Sequence, residues 1–337
     1  MMKQKGKEEC KKLFWILLCT LFFVFTTTYE VRAEYKSKVY TYNDFKYSYD
    51  KKTGYIWIRA YTGREKEVRI PSQINGVSVK YVASLQTKAE HGKNNKRITK
   101  VYFPDGIEYI EGMSGCLALR SVRIPNSVKE IGYTAFQDCR KLESIKLPKN
   151  LKTIGSNAFS GCRKLKSIKF PNGLKSIGMG AFDNCESLTE ISLPNSVTYL
   201  GESAFSCCKK LEKVKLSNKL TVIGEDTFIG CKRLKSVTIP KKVTEIESFA
   251  FSGCSSLSKM TIPSNVENIY EYAFLQCKNL ENVTFKGTKV QYIDENAFGG
   301  IYSKVVFYAP EQSVETYKKL LEASQSTNEG KVNVVAK

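Results

Sequence analysis

Apolar and polar residues alternate along most of this chain in one pattern with a period of 23 residues. Residues 142–165 read LESIKLPKNLKTIGSNAFSGCRKL, and the next unit reads LKSIKFPNGLKSIGMGAFDNCESL. The first part of the unit, LxxIxLP, alternates apolar and polar residues as a half-buried strand requires. Proline cannot donate a hydrogen bond to a strand ladder, so it marks the strand end. Units repeated so strictly predict a stack of identical turns, each too small to fold alone.

Each unit ends in a cysteine that we expect to be buried as an unbridged, structural thiol. Free cysteine behaves as a small apolar residue, and stacked side chains that point the same way are poorly placed for disulfides. A disulfide framework is the alternative in a secreted chain. Cys207 occupies a slot that is otherwise Asp, Gly, Asn or Gln, so it is the candidate exposed thiol. The eight cysteines of this ladder are Cys116, Cys139, Cys162, Cys185, Cys208, Cys231, Cys254 and Cys277.

Both ends of the repeat array, residues 66–310, need caps because a solenoid would otherwise expose its core. Residues 34–65 are predicted to form an N-terminal β cap, a hairpin that turns at residues 51–54. Residues 311–337 are predicted to form a capping helix, with Ser313 as its N-cap, and a loose polar tail. A cluster of aromatic residues in the first cap is either cap core or a second binding surface. Its members are Tyr40, Tyr42, Tyr47, Tyr49, Tyr55 and Trp57.

The first 33 residues are predicted to be a secretory signal peptide rather than part of the fold. Five lysines precede an apolar run at residues 13–25, and a cleavage site follows before Glu34. An uncleaved anchor is the alternative, but the run is short for a bilayer span, which needs about 20 residues. We therefore expect a secreted or cell-surface-associated protein with no membrane span after cleavage.

The template LxxIxLPxxLxxIGxxAFxxC resembles the BspA-type leucine-rich repeat, and the segment APEQSVETYKKLL resembles that family's capping helix. The resemblance covers residues 66–310. It implies a curved solenoid, secreted or surface-attached, found mainly in bacteria, with some members acting as adhesins that bind host matrix proteins. The predicted fold class is thus a repeat solenoid: a leucine-rich-repeat right-handed superhelix with one parallel β-sheet of about 11 strands, an N-terminal β-hairpin cap and a C-terminal helix cap.

The charge of the chain points to an anionic partner. The formal net charge is +20, and removing the leader would take away six basic and three acidic residues, which leaves +17. Such a surface attracts polyanions. The alternatives are that the charge only keeps the protein soluble, or that lysine on the strands only prevents pairing with other chains. The outward strand positions carry a basic stripe that becomes threonine-rich. The candidate binding residues are Arg123, Lys146, Lys169, Lys213, Lys215, Thr238, Lys259 and Thr261.

A catalytic site is hard to assemble from these residues. A Cys-His or Ser-His pair would have to use the only histidine, His91, which lies in a polar segment without a nucleophile motif. Cys207 and Cys208 are adjacent and not spaced like zinc ligands. We therefore expect no enzyme, no metal and no cofactor. The predicted function is binding or adhesion to an extracellular protein, acidic glycan or wall polymer, with no specific nucleic acid. A structural or cell-envelope spacer held by anionic wall polymers is the alternative.

Overall fold

The computed structural model of the chain describes residues 38–85, 96–301, 304–325 and 331–337. The predicted signal peptide, its cleavage site before Glu34 and the residue His91 lie outside these described residues.

Eleven parallel strands, one from each turn, build the ladder that the LxxIxLP segments predict. We call this the first ladder. Where neighbouring strands pair, they pair in register, so that Val214 lies between Ile191 and Val237, and these apolar residues point into the core. The pairing is interrupted at three places along the ladder. Numbered in chain order, its strands are β4 (Glu67–Arg69), β7 (Lys100–Tyr102), β9 (Ser121–Arg123), β11 (Ser144–Ile145), β13 (Ser167–Ile168), β15 (Glu190–Ser192), β17 (Lys213–Lys215), β19 (Ser236–Thr238), β21 (Lys259–Ile262), β23 (Asn282–Phe285) and β25 (Val306–Ala309).

A second parallel ladder lines another side of the same core, which adds to the single sheet that the sequence predicts. After the proline, each turn forms a short strand whose inward residue, such as Ile154, is buried and whose neighbour Thr153 is only partly exposed. We call this the second ladder. Its strands are β6 (Val77–Val82), β8 (Tyr109–Ile110), β10 (Glu130–Ile131), β12 (Thr153–Ile154), β14 (Ser176–Ile177), β16 (Tyr199–Leu200), β18 (Val222–Ile223), β20 (Glu245–Ile246), β22 (Asn268–Ile269) and β24 (Tyr292–Ile293).

A column of phenylalanine rings runs along the core, one ring from each turn. Successive rings from Phe136 to Phe298 lie nearly parallel, with centroids 5.0 to 5.9 Å apart. Each of these rings is fully buried. Offset stacking at such distances adds about 0.5–1.5 kcal/mol per pair to the burial itself. The turns therefore depend on their neighbours for stability, as the sequence period predicts.

A glycine that follows the second-ladder strand in the middle turns is needed for close packing of the turns. A Cβ on Gly155 would lie 2.6 Å from the carbonyl carbon of Gly132, and one on Gly178 would lie 2.5 Å from the nitrogen of Ser156. Neither glycine has a positive φ, so close approach to the preceding turn, and not a left-handed backbone, accounts for glycine here. At Gly224 the nearest atoms are 3.5 Å away, which shows that the turns are less tightly spaced there.

The N-terminal cap contains the predicted hairpin and one further strand. Strands β2 (Phe45–Asp50) and β3 (Tyr55–Tyr61) pair across the turn at residues 51–54, and β1 (Val39–Tyr42) pairs with β2. The extra reversal occurs at Asn43, whose φ is 46°, a value that asparagine tolerates better than most residues. Strand β3 then pairs with β6 and so joins the cap to the second ladder. Strand β5 (Gln73–Ile74) pairs with β6 antiparallel.

The C-terminal cap is a helix followed by a strand. Helix α1 (Val314–Ala323) buries Tyr317 and Leu321, and the Tyr317 ring stacks on Phe285 at 4.3 Å. Ser313 is the N-cap residue but forms no side-chain capping bond, because it belongs to the 3-10 turn Glu311–Ser313 and is buried. The prediction of a loose tail is wrong for its last residues: β26 (Asn333–Ala336) pairs in parallel with β25.

Candidate binding face

The structure places all eight candidate binding residues on the solvent side of the first ladder, and each is exposed. The alternation of the strands produces this arrangement, since in β17 the buried Val214 lies between the exposed Lys213 and Lys215. Lys215 lies between Ser192 and Thr238 on the neighbouring strands. We call this surface the first-ladder face. Turns are one strand spacing of ~4.8 Å apart, so the cations that follow one another in adjacent turns, in the first half of the face, lie that close together.

The candidate cations, which lie on β9 to β21 of the first-ladder face, differ from the lysines beside them in having no ion-pair partner. Lys166 pairs with Glu143 at 2.9 Å and Lys235 pairs with Glu212 at 2.9 Å, each across one turn. The hydrogen bond from Lys166 lowers the pKa of Glu143. Within the described part of the chain, none of the candidate cations forms such a pair. These six residues are Arg123, Lys146, Lys169, Lys213, Lys215 and Lys259.

A shallow recess lies near the middle of the first-ladder face, where strand pairing is interrupted between β13 and β15. Phe170 occupies the position that is a buried leucine in the adjacent turns, and it is only partly buried, with its ring edge against Phe182. Lys169, Lys215 and Glu190 also line the recess. The recess therefore combines an apolar floor with two cations and one carboxylate.

The face ends where the C-terminal turns begin. Thr284 continues the threonine stripe in sequence, but it is buried and pairs with Tyr308 of β25 in the parallel register. The larger side chain of the neighbouring strand is thus adjacent to Thr284. The exposed stripe runs from Arg123 to Thr261.

The eight ladder cysteines lie in the interior and are free thiols. The thiol of Cys162 donates to the carbonyl oxygen of Phe136 at 3.2 Å, and the same contact recurs in six other turns. Sequence reasoning missed this hydrogen bond, because a small buried residue was the only role that the spacing indicated. Burial raises the pKa of the Cys277 thiol to about 12, so the column carries no charge at neutral pH.

Cys207 is partly exposed, unlike the ladder thiols. Its φ is 54°, and the same slot is left-handed in other turns, for example at Asp138, Gly161 and Asn184. Those residue types tolerate a left-handed backbone better than cysteine does. This position of the repeat therefore requires a left-handed backbone conformation. Cys207 adopts that conformation and is not part of the buried column of ladder thiols.

The aromatic cluster of the first cap divides between core and surface. Trp57 is buried and stacks on Tyr81 at 4.3 Å. Tyr42 and Tyr47 pack against the core, whereas Tyr40, Tyr49 and Tyr55 are exposed. Half of the cluster therefore stabilises the cap, and the exposed half does not form one continuous patch with the first-ladder face, which begins at β9.

Two kinds of site are absent from the described residues. No group of three or more His, Cys, Asp or Glu residues in this part of the chain is arranged to hold a metal ion. Among residues 38–85, 96–301, 304–325 and 331–337, no helix has both the length and the apolar character of a membrane span.

Several solved structures are similar to this chain. Among solved structures, the chain is similar to a leucine-rich cell surface protein of Faecalibacterium prausnitzii, with 24% identity, a TM-score of 0.43, and coverage of 75% of this chain and 96% of the other. It is also similar to a leucine-rich repeat protein of T. pallidum, at 26% identity, a TM-score of 0.47 and coverage of 65% and 91%. A third similar structure is the pneumococcal vaccine antigen PcpA, with 19% identity, a TM-score of 0.46, and coverage of 89% of this chain and 99% of the other.

The comparison with curated proteins gives no match. The sequence profile of the BspA type leucine rich repeat region, however, matches six copies over residues 92–212 and 200–326. These ranges cover well over half of the chain and coincide with the repeats that form both ladders. The chain therefore belongs to the BspA-type leucine-rich repeat family.

Proposed function

We propose that this protein is a secreted binding protein that holds an anionic partner on its first-ladder face, outside a bacterial cell, and has no chemistry of its own. The observation that carries the proposal is the column of exposed cations without ion-pair partners. Acids pair with lysines of neighbouring slots across successive turns, and Lys100 pairs with Glu67 at the start of the first ladder, but the six candidate cations on β9 to β21 form no such pair. Stacked like charges are unfavourable for folding, and an anionic partner relieves that repulsion.

The partner class follows from the chemistry of the face. A column of cations one strand apart suits a chain of regularly spaced anions, such as an acidic glycan or a wall polymer, or an acidic stretch of an extracellular protein. The recess at Phe170 adds a small apolar floor between Lys169 and Lys215, where a sugar ring or an apolar side chain could lie. The family suggests a binding or adhesion role, which is consistent with this surface.

Localisation is part of the proposal. The basic start, the apolar run at residues 13–25 and the cleavage site before Glu34 support export of the chain. Release into the medium favours the binding role, whereas wall material that salt extracts favours the alternative of an envelope spacer. Fractionation of the producing cell separates the two.

Binding of heparin, used as a probe for acidic glycans, at about 50 mM and about 200 mM sodium chloride tests the proposal. We expect a double change of Lys146→Glu and Lys169→Glu to weaken binding and to flatten its salt dependence by about 1 in slope per lysine lost, as for other polyanions. The matched control is Lys241→Glu with Lys242→Glu, which changes the net charge equally in an exposed turn off the face. Equal binding by the two double variants would remove the first-ladder face from the account.

A further inference from the structure

A second surface of the solenoid has the opposite charge to the first-ladder face. It lies on the second-ladder side of the last turns and contains nine Asp or Glu residues and no Lys or Arg. In a chain with a net charge of +20, such a separation of charge is unexpected. We call this surface the acidic side. It consists of residues 198–205, 221–228, 244–251, 267–274 and 291–298.

The acidic side has a sharp boundary along the solenoid. The equivalent segments of the preceding three turns, residues 129–136, 152–159 and 175–182, each begin with a lysine, and together they contain one acid. The second-ladder side therefore changes from basic to acidic between β14 and β16. One turn further on, at Gly224, the glycine slot becomes less tightly packed, and in the next turn it is occupied by Glu247.

The carboxylates of the acidic side are crowded and lack cations. None of the nine forms an ion pair with any residue that the structure describes. Glu202 and Glu225 are exposed, and Glu247 is half-buried and accepts a hydrogen bond from the Glu225 N–H at 2.9 Å. Burial and, to a smaller extent, the charges of Glu202 and Glu245 raise the pKa of Glu247, although that hydrogen bond lowers it. A cationic partner would relieve this repulsion.

Aromatic rings interleave with these acids. Tyr199 and Tyr292 are 43% and 45% exposed, and Phe249 stacks on Tyr272 at 4.9 Å. Tyrosine is enriched at protein–protein interfaces, since it buries a large apolar area and keeps a hydrogen-bonding hydroxyl. The exposed tyrosines of the acidic side, although not its acids, are thus typical of a docking surface for a protein.

We propose that the acidic side docks the first-ladder face of a second copy of this chain. The charges are complementary: unpaired carboxylates on one surface and unpaired cations, such as Lys213 and Lys215, on the other. The spacing matches as well, because both surfaces repeat once per turn, at one strand spacing of ~4.8 Å. Charges on two solenoids that lie side by side can therefore meet at several turns along their length, although the turns of Ser192 and Thr238 carry no cation on this face.

The two surfaces are different parts of one chain, so the contact is heterologous, and each added copy leaves one free surface of each kind. Assembly then continues into chains whose length rises with concentration. Salt weakens it, because the charges are exposed and screened over about 10 Å at 0.1 M ionic strength. An anionic polymer on the first-ladder face would compete with it.

Sedimentation velocity of the protein, purified from cells that express the full chain, tests the proposal. We expect the sedimentation coefficient to rise with concentration at about 50 mM sodium chloride and to fall to the monomer value at about 200 mM, the range in which many-contact ionic binding weakens steeply. A Glu202→Lys and Glu225→Lys double variant should stay monomeric at both. The control, Glu311→Lys with Glu322→Lys, changes exposed acids of the C-terminal cap and should assemble like the wild type.

Complementation makes the test specific. The Glu202→Lys, Glu225→Lys variant keeps its first-ladder face, and a Lys213→Glu, Lys215→Glu variant keeps its acidic side. Each alone should be monomeric, and an equimolar mixture should form complexes that stop at twice the monomer mass. A wild type that is monomeric at low salt, a mixture that stays monomeric, or capture only of an unrelated cationic protein would overturn the proposal.

Heparin binding by the Glu202→Lys, Glu225→Lys variant should persist. A failure of self-assembly is therefore distinguishable from a failure of the proposed binding function.

Discussion

The thiol of Cys162 donates a hydrogen bond to the main-chain carbonyl oxygen of Phe136, 3.2 Å away in the preceding turn. The same oxygen accepts the N–H of Cys139 at 3.1 Å. Each carbonyl has two lone pairs, so the two bonds together satisfy this oxygen inside the apolar core. The ladder position therefore requires a residue that is small and apolar and can also donate a weak hydrogen bond.

Replacing a ladder cysteine should destabilise the fold by more than its size suggests. For Cys162→Ala we expect the free energy of unfolding to fall by about 1–3 kcal/mol, because a buried carbonyl loses a partner and a small cavity forms. Urea denaturation measures the change. Cys207→Ala, at a partly exposed position, should stay within about 0.5 kcal/mol of the wild type. Equal effects at the two sites would contradict the role assigned to the thiol bond.

The same glycine-to-alanine change should have opposite effects at two equivalent slots. Gly178→Ala places a Cβ 2.5 Å from the Ser156 nitrogen, and such overpacking costs about 1–3 kcal/mol. Gly224→Ala has 3.5 Å of clearance, so it should be neutral or stabilising by up to about 1 kcal/mol through the unfolded chain. Thermal denaturation of both variants measures whether the two stability changes have opposite signs. A destabilised Gly224→Ala variant would show that the slot selects glycine for another reason.

Thiol accessibility should separate Cys207 from the ladder. Brief alkylation of the native protein followed by peptide mapping is expected to label Cys207, which is partly exposed, and to spare the eight buried thiols. After denaturation all nine cysteines from Cys116 to Cys277 should react. Early labelling of any ladder cysteine, or a disulfide-linked peptide, would be inconsistent with a closed column of free thiols.

Alkaline pH should destabilise the protein through the same thiols. Burial raises the pKa of the seven ladder thiols from Cys139 to Cys277 in the folded state, for Cys277 to about 12, whereas an unfolded cysteine ionises near pH 8.5. Above that value the unfolded state holds fewer protons than the folded one, so the free energy of unfolding falls as pH rises towards the folded pKa. Each thiol contributes up to about 1.4 kcal/mol per pH unit. In denaturation at pH 8 to 11, Cys277→Ala should show a shallower fall than the wild type, and an unchanged slope would refute the linkage.

The repeat architecture could be read from the sequence because a strict period determines which residues stack. The spacing of Ile145, Ile168 and Ile191 indicates inward positions of parallel strands, and the structure confirms the solenoid with its C-terminal helix. The second ladder escaped prediction because only two residues per turn, such as Thr153 and Ile154, form its strands. Two residues are too few for an alternation of apolar and polar positions to be recognised in the sequence.

The details that were missed depend on contacts between turns. The clearance around Gly224 and the hydrogen bond from Cys162 depend on distances that spacing alone does not indicate. The last strand could have been predicted, because valine recurs at every second position, at Val332 and Val334, as in a strand with one buried side. The rest of the tail is polar, and for that reason the whole tail was expected to be loose. Val332 is buried, and Val334 packs against the core.

Exposure of the candidate face could be predicted from strand alternation, but its lack of ion pairs could not. An acid and a lysine in the same slot of adjacent units, as for Glu143 and Lys166, would have indicated the paired positions. The acidic side was overlooked because its nine acids are spread over five units, so no local cluster appears in the sequence. Only stacking brings Glu202, Glu225 and Glu247 together.

Lysine footprinting tests the central claim, that the first-ladder face holds an anionic polymer, most directly. The protein is briefly acetylated with and without heparin, and the modified lysines are identified by mass spectrometry. We predict slower acetylation of Lys146, Lys169, Lys213 and Lys215 in the presence of heparin, with no change at Lys241 and Lys242. Protection confined to lysines off the first-ladder face, or no protection at all, would contradict the account.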